Sequence, residues 1–330
     1  MKPIALDAMG GDHMPQAAID GAIAACELGI PVILVGDEAR LKAELAQRGK
    51  TVPIHPADDV MQMDDAASDV RKRRGASVVR AMQLHKDGEA SACVSLGHSG
   101  ATMAAALFVL GRIKGIERPA ILANIPTRHG FSALIDAGAN ADCRPQHLQQ
   151  FAIMGALYAA ATYQKPNPSV GLMSIGEEEG KGNELAREAH RLLKATPQLN
   201  FYGNIEGRDL LRGTTDVVVT DGFTGNVMLK LAEGEAKEIF GMIREALTRH
   251  GLLTKLGAAL VKPALRTLRD KLDPAEVGAQ PLLGVNGYAF IGHGSSDARA
   301  VKNALRNAQR AVEAQLVEQI RNGIANQVSA

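Results

Sequence analysis

Asp221, Thr224 and Asn226 fall in the stretch 216–226, DVVVTDGFTGN, where residues of high strand propensity run into Gly222 and Gly225 and then into a helical apolar period. A buried strand, a glycine turn and a helix start, in that order, aim unpaired backbone N–H groups at whatever sits above the strand's carboxyl end. The natural guest is an anion. Capping of the helix accounts for Asp221 and Asn226 equally well when this stretch is taken alone. A second stretch is harder to read as a plain connector: 176–183, GEEEGKGN, sets Lys181 among three glutamates and three glycines. It is not a P-loop, which needs four residues between the first glycine and the Gly-Lys pair and a Ser or Thr after it; here three intervene and Gly182 follows.

The same order of strand, turn and helix recurs along the chain. Residues 3–6 lead into Gly10, Gly11 and Asp12 ahead of Pro15, residues 90–96 into Gly97, His98, Ser99 and Gly100, and residues 288–291 into Gly292 and His293. Five such turns, at Gly10, Gly97, Gly180, Gly222 and Gly292, are expected to converge on one anion-rich cleft. Gly100 directly follows Ser99, so the G-x-S-x-G elbow is absent and Ser99 reads as a hydrogen-bond donor rather than a nucleophile. Lys181 supplies a point charge and Asn226 an amide donor at a helix head. Together they suit phosphate held beside an acyl carbonyl, where negative charge develops on oxygen during transfer. The candidate catalytic residues are therefore Lys181 and Asn226. The candidate anion-binding residues are Gly10, Gly11, Asp12, His98, Ser99, Gly100, Gly182, Asn183, Asp221, Thr224, Gly225 and His293. Cys93, inside an apolar strand, reads as inert core rather than a covalent acyl carrier.

The elements that must position these residues alternate. Strands are expected at 31–35, 52–55, 120–125, 131–136 and 170–175, and helices at 15–28, 38–47, 69–85, 145–163, 184–193 and 297–321. This rhythm predicts a three-layer α/β/α domain with a mostly parallel sheet and ligands at the strands' carboxyl ends. At 330 residues one large domain, 1–330, accommodates the whole pattern, with a minor break at 165–168. Net charge is +1 and aromatic residues are 3% with no Trp, so neither a basic field nor stacking platforms mark a nucleic-acid binder. Three cysteines without C-x-x-C spacing indicate no disulfide framework or zinc site, and a reduced cytoplasmic setting is expected. Asp7, Asp12, Asp136 and Asp221 are conceivable metal ligands for a dehydrogenase, but no spacing singles them out and no G-x-G-x-x-G dinucleotide fingerprint occurs.

From Leu252 the pattern changes. Residues 244–271 carry seven Lys or Arg and two acidic residues, and Leu252, Leu253, Leu256, Leu260 and Val261 stand among them. That is a cationic amphipathic segment suited to the interface of an anionic membrane or to a helical hairpin in a dimer. The basic run 71–74 reads as a solvated face or a docking patch for an acidic partner.

DAMGGDHMP, IPT followed by DAGAN, GEEEGKGNE, VTDGFTGN, PLLGVNG and HGSS, in this order over nearly the whole chain, resemble the phosphate acyltransferase family of bacterial phospholipid synthesis. The resemblance implies transfer of a long fatty acyl chain from acyl carrier protein to inorganic phosphate, the acyl phosphate serving a membrane glycerol-3-phosphate acyltransferase. It also implies a homodimer, a fold similar to isocitrate and isopropylmalate dehydrogenases with a protruding helical segment, no cofactor, and peripheral membrane association of a cytoplasmic protein. By motif it assigns catalysis to Lys181 and Asn226. His98 and Ser99 stand where the family usually carries Asn and Thr, and Gly278-Ala279 where it usually carries two glycines. A scaffold that binds acyl carrier protein without turnover is the non-enzymatic alternative.

Overall fold

The computed structural model describes residues 1–249 and 251–328. Its strands are β1 (Ile4–Asp7), β2 (Val32–Gly36), β3 (Ile54–Pro56), β4 (Ala92–Ser95), β5 (Ala120–Thr127), β6 (Gly130–Ile135), β7 (Ser169–Met173), β8 (Asn200–Ile205), β9 (Val217–Val219), β10 (Ala279–Leu283) and β11 (Ala289–Gly292). They form one sheet in the order β3-β2-β1-β4-β11-β10-β5-β6-β9-β7-β8. The helices are α1 (Gln16–Glu27), α2 (Glu38–Gln47), α3 (Ser77–Lys86), α4 (Ser99–Val109), α5 (Pro145–Tyr163), α6 (Glu184–Lys194), α7 (Gly207–Arg212), α8 (Gly222–Arg249), α9 (Leu252–Leu272), α10 (Ala298–Glu313) and α11 (Leu316–Val328).

Side-chain alternation along each strand divides the core in two. Ile4 and Leu6 join Phe151, Leu305 and Ile320 on the face covered by α1, α5, α10 and α11. Ala5 joins Val79, Met82, Ala105 and Leu229 on the face covered by α3, α4, α7 and the start of α8. This is the expected three-layer α/β/α arrangement.

Strand polarity is not uniform. The block β3-β2-β1-β4-β11 is parallel throughout, and so is the block β6-β9-β7-β8. Between them β10 runs antiparallel to both β11 and β5, and β5 antiparallel to β6. The two parallel blocks therefore have opposite polarity within one sheet, and their loops fall into separate groups.

Two expected helices are broken. In place of one helix over 69–85, a short 3-10 turn (Ala67–Arg71) precedes α3. Asp59 explains the break: its carboxylate binds the Arg73 guanidinium, whose Nε donates at 2.8 Å, and its carbonyl accepts from the Ser77 N–H at 2.9 Å. Arg73 is thereby taken out of the basic run, which leaves Arg71, Lys72 and Arg74 exposed. The helix expected over 297–321 turns at Gln315, which has φ 52°, so that Ile320 and Ile324 of α11 reach the core.

The head of α8 is held by close backbone packing. The Gly222 N–H donates to the Asn140 carbonyl at 2.7 Å, and a Cβ on Gly225 would lie 1.9 Å from the Asp136 carbonyl oxygen. Beyond Leu229 no described residue of α8 or α9 is buried, so the two helices project as a hairpin. An alanine at position 225 gains about 1 kcal/mol of helix propensity. It also drives a methyl group into backbone that cannot move without breaking the loop, and overpacking of this kind costs about 1–3 kcal/mol or more. Gly225→Ala is expected to lower unfolding stability by about 2 kcal/mol or more, read by urea denaturation; unchanged stability would contradict this packing.

Candidate active site

The loops that follow β6, β7 and β9 form the first of two polar groups. Asp136, fully buried at the end of β6, is the centre of its own loop. Its carboxylate accepts from the backbone N–H of Ile121 (3.0 Å), Gly138 (3.1 Å), Ala139 (3.0 Å) and Asn140 (2.8 Å) and from Asn140 Nδ2 (2.8 Å). Burial pushes this carboxyl above the ordinary carboxylate range, and the surrounding N–H donors pull it back. Every partner in this set is a donor, so the arrangement calls for the carboxylate form. The Asn140 carbonyl then receives Gly222, which fixes the head of α8 against the loop.

Asp221 accepts from the backbone N–H and the hydroxyl of Thr224, each at 2.8 Å. Both residues are thus engaged in capping α8. Asn183 caps α6 in the same way, its Oδ1 accepting from the Ala186 N–H at 2.9 Å. Gly182 has φ 103°, and a Cβ there would lie 2.7 Å from the Ala186 Cβ and 2.9 Å from Ser174 Oγ. The two candidate catalytic side chains of this group are left uncommitted. Among the described residues, neither the Lys181 ammonium nor the Asn226 carboxamide has a hydrogen-bond or ion-pair partner. The neighbouring glutamates are partly occupied: Glu177 lies 3.6 Å from Arg208, and Glu179 pairs with Lys194. Lys181 is exposed and its stem folds over Gly176, while Asn226 is half-buried against Gly138. Because β7 and β9 are adjacent and parallel, the loops carrying these two residues leave the sheet side by side. The positive end of the α8 dipole adds to the attraction for an anion.

The loops after β1, β4 and β11 form the second group. Asp7 is buried and accepts from Ser95 Oγ (2.8 Å), the Met9 N–H (3.2 Å) and the Gly10 N–H (3.3 Å). Thr102 Oγ1 lies 3.2 Å from Ser95 Oγ and 3.1 Å from the His98 carbonyl, which ties α4 to the same network. Gly10 rests on Gly97, since a Cβ on it would be 3.0 Å from the Gly97 Cα. The Asp12 N–H donates to the Gly294 carbonyl at 2.8 Å, joining the first loop to the one that carries His293. His98 caps α4: its Nδ1 accepts from the Ala101 N–H at 3.1 Å, which requires the Nε2–H tautomer. Asn at this position has an acceptor of the same use. Ser99 and Gly100 open α4, with Ser99 exposed.

The expected single convergence of five turns takes a different form. The reversal of strand polarity separates Gly10, Gly97 and Gly292 from Gly180 and Gly222. Helix α8 spans the interval. Asn226 lies at its head, and two turns on Glu233 places Oε1 3.5 Å from His293 Nε2, about 10 Å along the axis at 1.5 Å per residue. The imagined carboxylate cluster is divided by the same reversal, and among the described residues no group of three or more His, Cys, Asp or Glu is placed to hold a metal ion. Cys93 is fully buried, and burial with Asp7 nearby pushes its thiol well above its ordinary value. The pattern of residues around Asp7, Ser95 and Thr102 was not readable as a network because its members come from β1, β4 and α4. Ser174, whose buried Oγ has no partner among the described residues and sits beneath Gly182, was missed as well; its position just past the end of β7 was the available signal.

Of the expected membrane-facing residues, Leu260 is 83% exposed and Val261 46% exposed. The side chains of Leu252, Leu253 and Leu256 lie outside the described residues. Among the described residues no helix is long and apolar enough to cross a membrane.

A family model described as fatty acid synthesis protein matches residues 2–319. A phosphate acyltransferase of Thermus thermophilus is 57% identical over 322 residues, covering 98% of each chain. One from Elusimicrobium minutum is 52% identical over 328 residues, covering 98% of this chain and 96% of the relative. In fold, a phosphotransacetylase from Streptococcus pyogenes matches with a TM-score of 0.62 at 17% identity, over 96% of this chain and 94% of that one. With sequence motifs, sheet and near-complete coverage in agreement, the chain belongs to the phosphate acyltransferase family.

Proposed function

We propose that the protein transfers a long-chain fatty acyl group from acyl carrier protein to inorganic phosphate, yielding acyl phosphate for phosphatidic acid and phospholipid synthesis. The observation that carries this reading is the uncommitted pair of Lys181 and Asn226 on adjacent loops at the head of α8. Phosphate sits beside Lys181 and the α8 N-terminus, where fixed positive charge replaces its hydration. A phosphate oxygen attacks the thioester carbonyl and the C–O bond forms. The Asn226 amide donates to the developing oxyanion. Collapse of the tetrahedral intermediate breaks the C–S bond, and the proton carried by hydrogen phosphate passes to the departing thiolate. Phosphate is itself the nucleophile, so neither Ser99 nor Cys93 takes part covalently.

In this reading acyl carrier protein is the donor partner, the enzyme acts as a homodimer, and the product passes to a membrane glycerol-3-phosphate acyltransferase. The projecting α8–α9 hairpin, with its cationic surface and exposed Leu260 and Val261, holds a cytoplasmic enzyme against an anionic bilayer.

With palmitoyl-acyl carrier protein and radiolabelled phosphate, wild type is expected to form hydroxylamine-sensitive acyl phosphate, and Lys181→Ala and Asn226→Ala to lose at least about 100-fold in rate, the scale of removing one transition-state donor. Binding of the carrier protein without product from wild type would favour a scaffold instead. His98→Asn is expected to stay within a few-fold of wild type, because the acceptor that caps α4 is preserved; a hundredfold loss would show that the imidazole acts chemically. The double variant Leu260→Glu/Val261→Glu is expected to abolish co-sedimentation with phosphatidylglycerol vesicles while leaving the rate on soluble substrates unchanged, and undiminished sedimentation would place the contact elsewhere.

A further inference from the structure

A groove open to solvent lies between α8 and the β5–β10 part of the sheet. Its walls include Ala123 and Ile125 of β5, Leu229, Ala232 and Ala236 of α8, and Phe131. The charged groups at its edge are paired: Glu233 lies 3.5 Å from His293, and Lys271 donates to the Arg128 carbonyl at 3.2 Å. Asp273 lies 3.2 Å from Arg299, which also pairs with Glu276. Asn124, the one amide on the β5 wall, is held by the hydroxyls of Tyr158 and Tyr163. An apolar guest would leave none of these groups without a partner.

The position is as telling as the lining. Asn226, Leu229, Glu233 and Ala236 are spaced by three, four and three residues and so form one stripe on α8. The stripe carries the candidate catalytic amide at its head and the pocket wall below it, and extends about 15 Å from Asn226 to Ala236 at 1.5 Å per residue. We infer that this pocket receives the acyl chain of the substrate, running from the carbonyl at Asn226 along α8, and that Ala232 and Ala236 determine how long a chain is accepted. This rests on the acyl-transfer reading above. Alanine at these two positions keeps the space between helix and sheet open; a larger side chain would close it, nearer to the carbonyl at 232 and farther from it at 236.

The test is the chain-length profile of phosphate-dependent acyl transfer, measured as kcat/KM with thioesters of 8, 12, 16 and 18 carbons, for wild type, Ala232→Leu and Ala236→Leu, with melting temperature as the check on folding. Ala236→Leu is expected to lower the 16-carbon to 8-carbon ratio at least tenfold, and Ala232→Leu to extend the loss to 12 carbons. Glu235→Ala, on the exposed side of α8, is expected to leave the ratio as in wild type. Unchanged profiles in both folded alanine variants, with wild type active, would overturn the inference and leave the acyl-transfer reading standing. If wild type transfers no acyl group of any length, that reading fails, and binding of dansyl-undecanoic acid decides the pocket separately. Weakening by tenfold or more in Ala236→Leu would support it, and equal binding would overturn it. Should one variant not fold, the other carries the comparison.

Discussion

The carboxylate of Asp136 organises the half of the molecule that carries Lys181 and Asn226. It sits at full burial with N–H donors on both oxygens. A buried carboxylate without such donors would be costly, and backbone donors without an acceptor would be costly too, so each side of the arrangement requires the other. The consequence reaches beyond the loop. The donors fold 136–140 into a shelf, the Asn140 carbonyl fastens Gly222 to it, and Gly225 permits contact too close for any side chain. Asn226, the next residue, is therefore positioned by backbone rather than by its own bonds, which leaves its amide available.

Sheet polarity sets the remaining geometry. A uniformly parallel sheet would have placed all five glycine turns along one edge. Reversal through β10, β5 and β6 instead builds two groups, each internally tied, and gives α8 the task of joining them. The Asp7, Ser95 and Thr102 network does for the β1 and β4 loops what Asp136 does for β6 and β9: a buried acceptor gathers donors from elements distant in sequence. Three of the side chains expected to touch an anion, Asp221, Asn183 and His98, are engaged in capping helices. Their contribution to a ligand is to hold backbone N–H groups in place.

Much of this was legible in the sequence because local chemistry wrote it there. The alternation of β-branched runs with helical periods announced the α/β layers, and 145–163 and 38–47 matched α5 and α2 residue for residue. Lys181 and Asn226 stood out by type and setting before any contact was known. What stayed hidden was non-local. Strand β10 contains Pro281, which argues against a sheet interior, yet it pairs on both sides. Strand β8 is polar, carries Gly203 at φ 120° and lies at the edge of the sheet, so no alternating pattern marked it. The breaks after Arg71 and at Gln315 follow from Asp59 and from the demand that α11 fold back on the core, neither of which is visible in a helical period. Polarity reversal likewise depends on which strands pair, and pairing has no local signature.

Among its described residues helix α8 is buried only over its first two turns, at Gly222, Gly225 and Leu229; Glu233 and Ala236 still face His293 and the pocket, and beyond them the helix continues outward as one arm of the hairpin. Mechanically it is a cantilever. A load applied near the free end becomes a torque at the root, and the root is the segment that carries Asn226 and faces the pocket. The spacing between α8 and β5 and the direction of the Asn226 side chain consequently both depend on how the helix is seated at that root.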